Sequence, residues 1–279
     1  PIAALRVSSR AMAPPGRGVE SSGGGGSYTR RMRLTVLGSN GTYPTPGRPA
    51  SGYLVTDGGA MVWLDAGPGT LAAFLDGRST DDLGALVLSH VHGDHCLDTL
   101  ALFNLLRHGA PRPPLRVLAP PGVMERLAAF AGAGADHDFW KVLAAAEILP
   151  GGTATVGDLR LSFGAAVHPV PAVVTRVDGP GGSITYSGDT GPGGDLVDLA
   201  AGTGALVCEA TSQGSREHGD YPYHLTAVEA GEAAAAAGAG RLLVTHVSPT
   251  LDPAVSVAEA AGVFEGPVEW AAPGLEVSL

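Results

Sequence analysis

Cysteine is nearly absent: Cys96 and Cys208 are the only two in 279 residues. Two distant cysteines make no disulfide framework, and such usage suits a reducing compartment. Aromatic residues are scarce as well, at 5%, so Ala, Val and Leu must fill most of the core. Basic residues are outnumbered, 17 Lys and Arg against 27 Asp and Glu, for a formal net charge of −10. Affinity for long nucleic acids comes mostly from basic side chains that neutralise phosphates, so no long RNA or DNA partner is expected. A small anionic substrate stays open, because a metal centre supplies positive charge of its own. No run of 18 or more apolar residues occurs, so no transmembrane helix and no membrane partner is expected. No basic stretch followed by an apolar one marks a signal peptide. The expected location is cytoplasmic.

Glycine and proline are plentiful instead, at 42 and 22, which suggests many short loops that carry the function. Residues 1–31 contain Ala13-Pro14-Pro15-Gly16 and Ser21-Ser22-Gly23-Gly24-Gly25-Gly26-Ser27, a linker-like composition read as a disordered tail. Patterned sequence begins at Met32, and residues 32–279 read as the folded domain. Strands are expected over 33–37, 52–56, 61–64, 85–89, 115–119, 159–163, 183–187, 205–208 and 242–245, and helices over 97–106, 123–131, 196–201, 227–237 and 253–264. Thr226-Ala227-Val228-Glu229 is a capping box, and Asp252-Pro253 places an acceptor before a first-turn proline. Early strands lie close together and later ones alternate with helices, which points to an α/β fold of two sheets covered by helices. No internal repeat is legible. The alanine run 233–237 reads as a tightly packed helix face.

His90-Val91-His92-Gly93-Asp94-His95 is the most informative segment, holding three of the chain's nine histidines. It follows the apolar run Ala85-Leu86-Val87-Leu88, so its side chains are expected on a loop at a buried strand's end. Three imidazoles and a carboxylate form a nitrogen and oxygen ligand set for a first-row metal. His90 and His92, at alternate positions, can point the same way. Asp94 and His95 can turn toward a second ion, with Gly93 supplying backbone freedom for the reversal. His168, Asp189 and His246 each follow a strand-like run, and together they complete a site gathered from several strand ends.

Asp65, the 90–95 segment, His168, Asp189 and His246 resemble the five successive motifs of the metallo-β-lactamase superfamily, over Met32 to about Phe264. Leu37-Gly38-Ser39-Asn40-Gly41-Thr42, Cys208-Glu209-Ala210-Thr211 and His224-Leu225-Thr226 are similar to the ribonuclease Z-like branch. Leu88–Asp98 resembles the atypical cyclic-AMP phosphodiesterases of actinobacteria. The resemblance implies an αββα sandwich, two mixed β-sheets flanked by helices, with the site along one sheet edge. It implies two divalent metal ions, zinc first and manganese or iron as alternatives. His90, His92 and His168 would hold one; Asp94, His95 and His246 the other; Asp189 would bridge. Asp65 would orient the site from behind. Aspartate at position 189, where β-lactamases commonly carry cysteine, favours a phosphoesterase.

The reaction so implied is hydrolysis of a small phosphodiester, such as a cyclic nucleotide, by a metal-activated hydroxide. His224 matches the histidine that the ribonuclease Z branch uses near the leaving group, and is expected to act as general acid. The alternative for His224 is a helix-entry residue bonded to nearby backbone. In the tRNA-processing enzymes a long arm separates the positions matching His168 and Asp189. Here 20 residues, 169–188, separate them and include one basic side chain, Arg176, which predicts a hairpin and disfavours a tRNA 3'-processing endonuclease. A lactonase or β-lactamase would share the ligands, and a non-enzymatic metal-binding interaction protein is the alternative of a different class. Enzymes of this kind often form homodimers, although no residue stripe marks such a face.

Secondary candidates carry two readings each. The segment 212–223, with Arg216, Glu217, His218, Asp220, Tyr221 and Tyr223, is a pocket wall or a solvated loop. Tyr43 and Arg48 lie in a Gly/Pro-rich loop, where Arg48 is a phosphate contact or an ordinary surface residue. His137, flanked by Asp136 and Asp138, is expected at a helix start where capping explains the acids. His108 is expected at a helix end, and both cysteines as packing residues.

Overall fold

The computed structural model describes residues 31–216 and 221–279. Residues 1–30, nearly all of the expected tail, and Glu217, His218 and Asp220 lie outside the described residues.

Three strands, β1 (Arg33–Gly38), β2 (Gly52–Asp57) and β3 (Ala60–Leu64), form an antiparallel meander. Helix α1 (Thr70–Leu75) crosses to β4 (Ala85–Val87), which pairs parallel to β3. Two further crossovers, α2 (Gly93–Cys96) with α3 (Asp98–His108) and α4 (Val123–Phe130) with α5 (Asp138–Val142), add the parallel strands β5 (Leu115–Ala119) and β6 (Leu143–Glu147).

The second half repeats this plan. Strands β7 (Thr153–Val156), β8 (Leu159–Ala165), β9 (Val173–Gly179) and β10 (Gly182–Tyr186) are antiparallel neighbours. Then α6 (Leu196–Leu199), α7 (Ala227–Ala237) and α8 (Pro253–Ala261) cross over to β11 (Ala205–Glu209), β12 (Leu242–Thr245) and β13 (Val268–Trp270), all parallel. The last strand, β14 (Glu276–Ser278), returns to pair with β1 in the first sheet. Two seven-stranded sheets result, ordered β14-β1-β2-β3-β4-β5-β6 and β13-β12-β11-β10-β9-β8-β7. The expected αββα sandwich of two mixed sheets is the observed architecture.

Both faces of each sheet are covered. On β2, Tyr53 and Val55 face the core between the sheets, while Leu54 joins the layer under the helices. That alternation is the two-residue period of a strand buried on both sides. Trp63 stacks on Phe74 of α1, with ring centroids 5.0 Å apart at 4°. Leu86 is fully buried in the same layer, where truncation to alanine would cost roughly 2–5 kcal/mol. Over the second sheet, α7 buries Ala227, Ala230, Ala234 and Ala237, the packed face expected of the alanine run. A Cβ on Gly231 would lie 2.6 Å from the Ala260 carbonyl oxygen, so that glycine lets α7 and α8 touch. The capping box at Thr226 and Glu229 and the Asp252-Pro253 start are both present.

Several elements depart from the sequence reading. Strand β6 is Leu-Ala-Ala-Ala-Glu, a composition with low strand preference that pairing with β5 overrides. The short strands β7, β13 and β14, strand β9, and the helix α1 were not expected from local pattern. The helix expected over 97–106 is α3, while the short turn α2 just before it, which carries Asp94 and His95, was not expected. Gly93 opens that turn and does not adopt a left-handed φ, so its expected role in a chain reversal is not the one it has. Segment 169–188 contains the β9–β10 hairpin, as its length predicted.

Candidate metal centre

Most of the chemistry-bearing residues sit where the parallel strands end, the position at which open α/β sheets gather ligands, and His168 joins them from the antiparallel β8–β9 connection. His90 and His92 follow β4, and Asp94 and His95 lie on α2. His168 lies between β8 and β9, Asp189 follows β10, Glu209 ends β11, and His246 follows β12. Four separate loops thus converge from both sheets.

The atoms fall into groups. His90, His92, His168 and Asp189 bring ligand atoms within 4.8 Å of one another, and so do Asp94, His95 and His246. His168 Nε2 lies 3.0 Å from His92 Nδ1. Asp189 Oδ2 is 3.6 Å from His90 Nε2, while Oδ1 is 3.1 Å from His95 Nε2 and 3.3 Å from His246 Nε2. Asp94 Oδ2 is 3.6 Å from His95 Nε2 and 3.2 Å from His246 Nε2. Bonds of roughly 2.0–2.1 Å to a tetrahedral ion separate its ligands by about 3.3 Å, and these spacings bracket that figure. His90 Nε2, His95 Nε2 and Asp189 Oδ1 are buried yet make no hydrogen bond. Buried polar atoms without partners are rare and costly, and a divalent cation would satisfy all three. The residues present therefore fit a metal site.

Most of the imidazoles are held from behind. His95 Nδ1 donates to Asp65 Oδ2 at 2.7 Å. Ser89 Oγ donates to the same oxygen at 2.7 Å and lies 3.0 Å from His90 Nδ1. His246 Nδ1 faces Thr211 Oγ1 at 2.8 Å, and that hydroxyl donates onward to Glu209 Oε2 at 2.7 Å. His168 Nδ1 donates to the Tyr223 carbonyl at 3.2 Å. With each Nδ1 proton pointing outward, each Nε2 faces the cluster, where its lone pair is open to a metal once the ring is neutral. Asp65 also accepts from Ser89 N–H at 2.6 Å and from Tyr186 O–H at 2.7 Å. Tyr53 O–H and Thr245 Oγ1 share a hydrogen bond beside this network.

Among the described residues, the only non-glycine residues with left-handed φ are Thr42, Asp65 and His246, at 65°, 55° and 52°. All three belong to the site, since the Thr42 N–H donates to Asp94 Oδ2 at 2.8 Å. Strained backbone of this kind concentrates where geometry is fixed for function. A Cβ on Gly41 would lie 2.7 Å from the His246 carbonyl oxygen, so the loop after β1 can close on His246 only with glycine there.

Electrostatics divide the cluster. Burial lowers the pKa of His90 and His92 and takes His168 to about 4. Burial works the same way on His95, but the carboxylates of Asp189 and Asp65 outweigh it and raise that ring well above the ordinary value. Asp94 and Asp189 are raised by burial but held lower overall by the facing histidines.

His224 stacks on His246 at 16°, with centroids 5.6 Å apart, and its Nδ1 is 3.0 Å from Glu209 Oε1. Burial opposes its protonation, and the Glu209 carboxylate overcomes that and raises its pKa. Asp189, His224 and His246 could also group around an ion, but the His224 nitrogen nearest Asp189, at 4.0 Å, is the one engaged with Glu209. Glu209 is fully buried and accepts from the Thr190 and Leu225 N–H groups. The sequence reading quoted Glu209 and Thr211 within a motif without giving either a role. Their only signal was proximity to a motif whose partners lie far along the chain.

The remaining candidates separate. Thr211, Ser212, Gln213, Arg216, Tyr221, His224 and Thr226 line a cavity of about 360 Å³ beside the cluster, so of the segment 212–223 the residues Ser212, Gln213, Arg216 and Tyr221 form a pocket wall and Tyr223 does not line it. Arg48 instead stacks over Trp270 at 4.8 Å and lines a different cavity, of about 590 Å³. The His137 ring itself caps α5, accepting from Phe139 N–H, while Asp138 pairs with Arg107 and Lys141. His108 ends α3, and Cys96 and Cys208 are buried free thiols. Among the described residues no helix is long and apolar enough to cross a membrane.

Comparison with known proteins agrees with this architecture. The model of the beta-lactamase superfamily domain matches residues 61–247. An uncharacterized protein of Mycobacterium tuberculosis is 36% identical over 247 residues, spanning 85% of this chain and 88% of its own. A ribonuclease Z of Mycolicibacterium paratuberculosis is 33% identical over 245 residues, spanning 79% and 87%. The metallo-beta-lactamase fold protein YhfI from Bacillus subtilis superposes with a TM-score of 0.80 at 25% identity, over 90% of this chain and 100% of that one. A family match over most of the folded chain, together with shared sequence and shared architecture, establishes that the protein belongs to the metallo-β-lactamase superfamily and is a metallo-hydrolase of the ribonuclease Z-like kind.

Proposed function

We propose that the protein is a two-metal phosphodiesterase acting on a small phosphodiester such as a cyclic nucleotide. His90, His92 and His168 would hold one ion and Asp94, His95 and His246 the other, with the two oxygens of Asp189 shared between them. Two divalent cations held there would supply Lewis-acid charge and lower the pKa of a bound water. Asp65 holds His95, and through Ser89 it holds His90, each in the tautomer that leaves Nε2 free. His224, whose pKa the Glu209 carboxylate raises against the effect of burial, donates its proton to the departing alkoxide oxygen as the P–O bond breaks.

The observation that carries this reading is the His224–Glu209 pair beside the ligand cluster. A leaving alkoxide needs a proton, and a histidine paired with a carboxylate beside the cluster can deliver one. Similarity to ribonuclease Z, an RNA-cleaving enzyme by name, supports diester chemistry. The small substrate is supported by the short β9–β10 hairpin and the net charge of −10.

The test is a panel on metal-analysed protein: cyclic nucleotides, bis-p-nitrophenyl phosphate, a precursor tRNA, lactones and nitrocefin. The reading expects turnover of the small diesters, and of the cyclic nucleotides among them. Turnover confined to lactones or nitrocefin would refute phosphodiester chemistry, and preference for the tRNA would refute the small substrate.

A further inference from the structure

The loop between β11 and α7 carries His224, and one side chain ties it down at two points. Arg216 Nε and Nη2 donate to the two carboxylate oxygens of Glu229 at 2.6 and 2.7 Å. Its Nη1 donates to the Tyr221 carbonyl at 3.0 Å, and its Nη2 also donates to the carbonyl of His224 itself. The guanidinium therefore holds both ends of the stretch Tyr221–His224.

Its anchor is the first turn of α7. Glu229 is the third residue of that helix, and its Oε2 also accepts from the Thr226 N–H at 2.8 Å. The helix is fixed in turn by its buried alanine face. A guanidinium suits this position because its planar fork can meet a carboxylate with two donors and still reach two carbonyls. A lysine ammonium is a single point and cannot span them. As an ion pair alone, a part-exposed Arg–Glu contact adds little. What sets this one apart is that a donor lands on the backbone of the proposed acid.

We propose that Arg216 is a positioning residue for proton delivery: it locks Tyr221–His224 so that the His224 ring stays stacked on His246 with Nδ1 on Glu209. The proposal rests on the reading of His224 as general acid. In that step the His224 proton moves to the leaving oxygen as its bond to phosphorus breaks, and solvent water restores the proton afterwards. A misplaced ring then slows substrates whose leaving group needs the proton, and slows p-nitrophenolate departure much less.

The experiment compares Arg216→Ala, Arg216→Lys, Glu229→Gln and His224→Ala with the wild type. It reads the ratio of kcat/KM on the fastest alkyl diester of the panel to that on bis-p-nitrophenyl phosphate. A second readout, amide hydrogen exchange over 221–225, is taken on the metal-free protein. Arg216→Ala and Arg216→Lys are expected to lower the ratio by about tenfold, in the direction of His224→Ala. Exchange over 221–225 should speed while 232–237 stays protected. Glutamine also serves as a third-residue capping partner, so Glu229→Gln should keep the cap and lower the ratio by a smaller factor, about threefold. The proposal is overturned if Arg216→Ala depresses both substrates equally, or if the segment loosens with the ratio unchanged. Should His224→Ala itself leave the ratio unchanged, the acid reading fails and takes the proposal with it. A lowered ratio in His224→Ala but not in Arg216→Ala defeats the positioning role alone.

Discussion

Asp65→Asn is the substitution that most cleanly separates orientation from charge at this site. Asp65 is fully buried and accepts four hydrogen bonds: one on Oδ1 from Ser89 N–H, three on Oδ2 from Ser89 Oγ, His95 Nδ1 and Tyr186 O–H. Asparagine keeps the shape and tolerates the left-handed backbone at φ 55°. If its oxygen stays on the Ser89 N–H, its amide group faces three donors. The two hydroxyls can rotate, but their own protons then lose acceptors, and each buried donor left unmet costs roughly 1–3 kcal/mol. A net loss of about 2–4 kcal/mol in the metal-free fold follows. The amide also donates to His95 Nδ1, which drives the ring proton onto Nε2, the atom that faces Asp189 and Asp94. Metal binding must reverse that tautomer, so affinity should fall by roughly 10–100-fold. Urea unfolding of the metal-free protein and competition with a chromophoric zinc chelator measure the two effects separately. Stability within about 0.5 kcal/mol of wild type, together with unchanged zinc affinity, would refute the orienting role.

Other consequences follow from the same geometry. His95 has a raised pKa in the metal-free protein, so it holds a proton at neutral pH that a metal must displace. His90, His92 and His168 are lowered and already neutral there. Filling the Asp94–His95–His246 group should release a proton, and its apparent affinity should rise with pH through the folded His95 value. Calorimetry in buffers of different ionisation enthalpy reads that release, and buffer-independent heats would contradict it. The same raised pKa stabilises the metal-free fold below the unfolded value near 6.5 and loses that effect as pH climbs through the folded one. Gly41→Ala sets a methyl 3.1 Å from His246 Nδ1 and should weaken metal binding by about tenfold, again by chelator competition; wild-type affinity would show that the loop yields without moving the ring.

Much of the site was legible because its chemistry is dense or rhythmically placed. Four ligand-type residues fall within 90–95, and His168, Asp189 and His246 each close an apolar run that proved to lead into or form a strand. Glu209 and Thr211 went without roles because their meaning lies in His224 and His246, which only the fold brings near. The left-handed residues Thr42, Asp65 and His246 show nothing in composition, since their strain is imposed by the loops around them. Strand β6, with three alanines in five residues, carries little strand signal of its own and becomes a strand beside β5. The repeated plan of the two halves is equally invisible, because a meander followed by parallel crossovers can be built from unrelated apolar patterns.

Among the described residues, Asp189 is the one carboxylate with an oxygen facing each ligand group, so the paired site stands or falls on it. Zinc per chain, measured by mass spectrometry after reconstitution and desalting, is therefore compared between wild type and Asp189→Ala, with diester hydrolysis assayed on the same samples. The account predicts two ions and activity in the wild type, and loss of at least one ion with activity abolished in the variant. Full activity with one ion or none in the wild type, or two retained ions and full activity in Asp189→Ala, would contradict it.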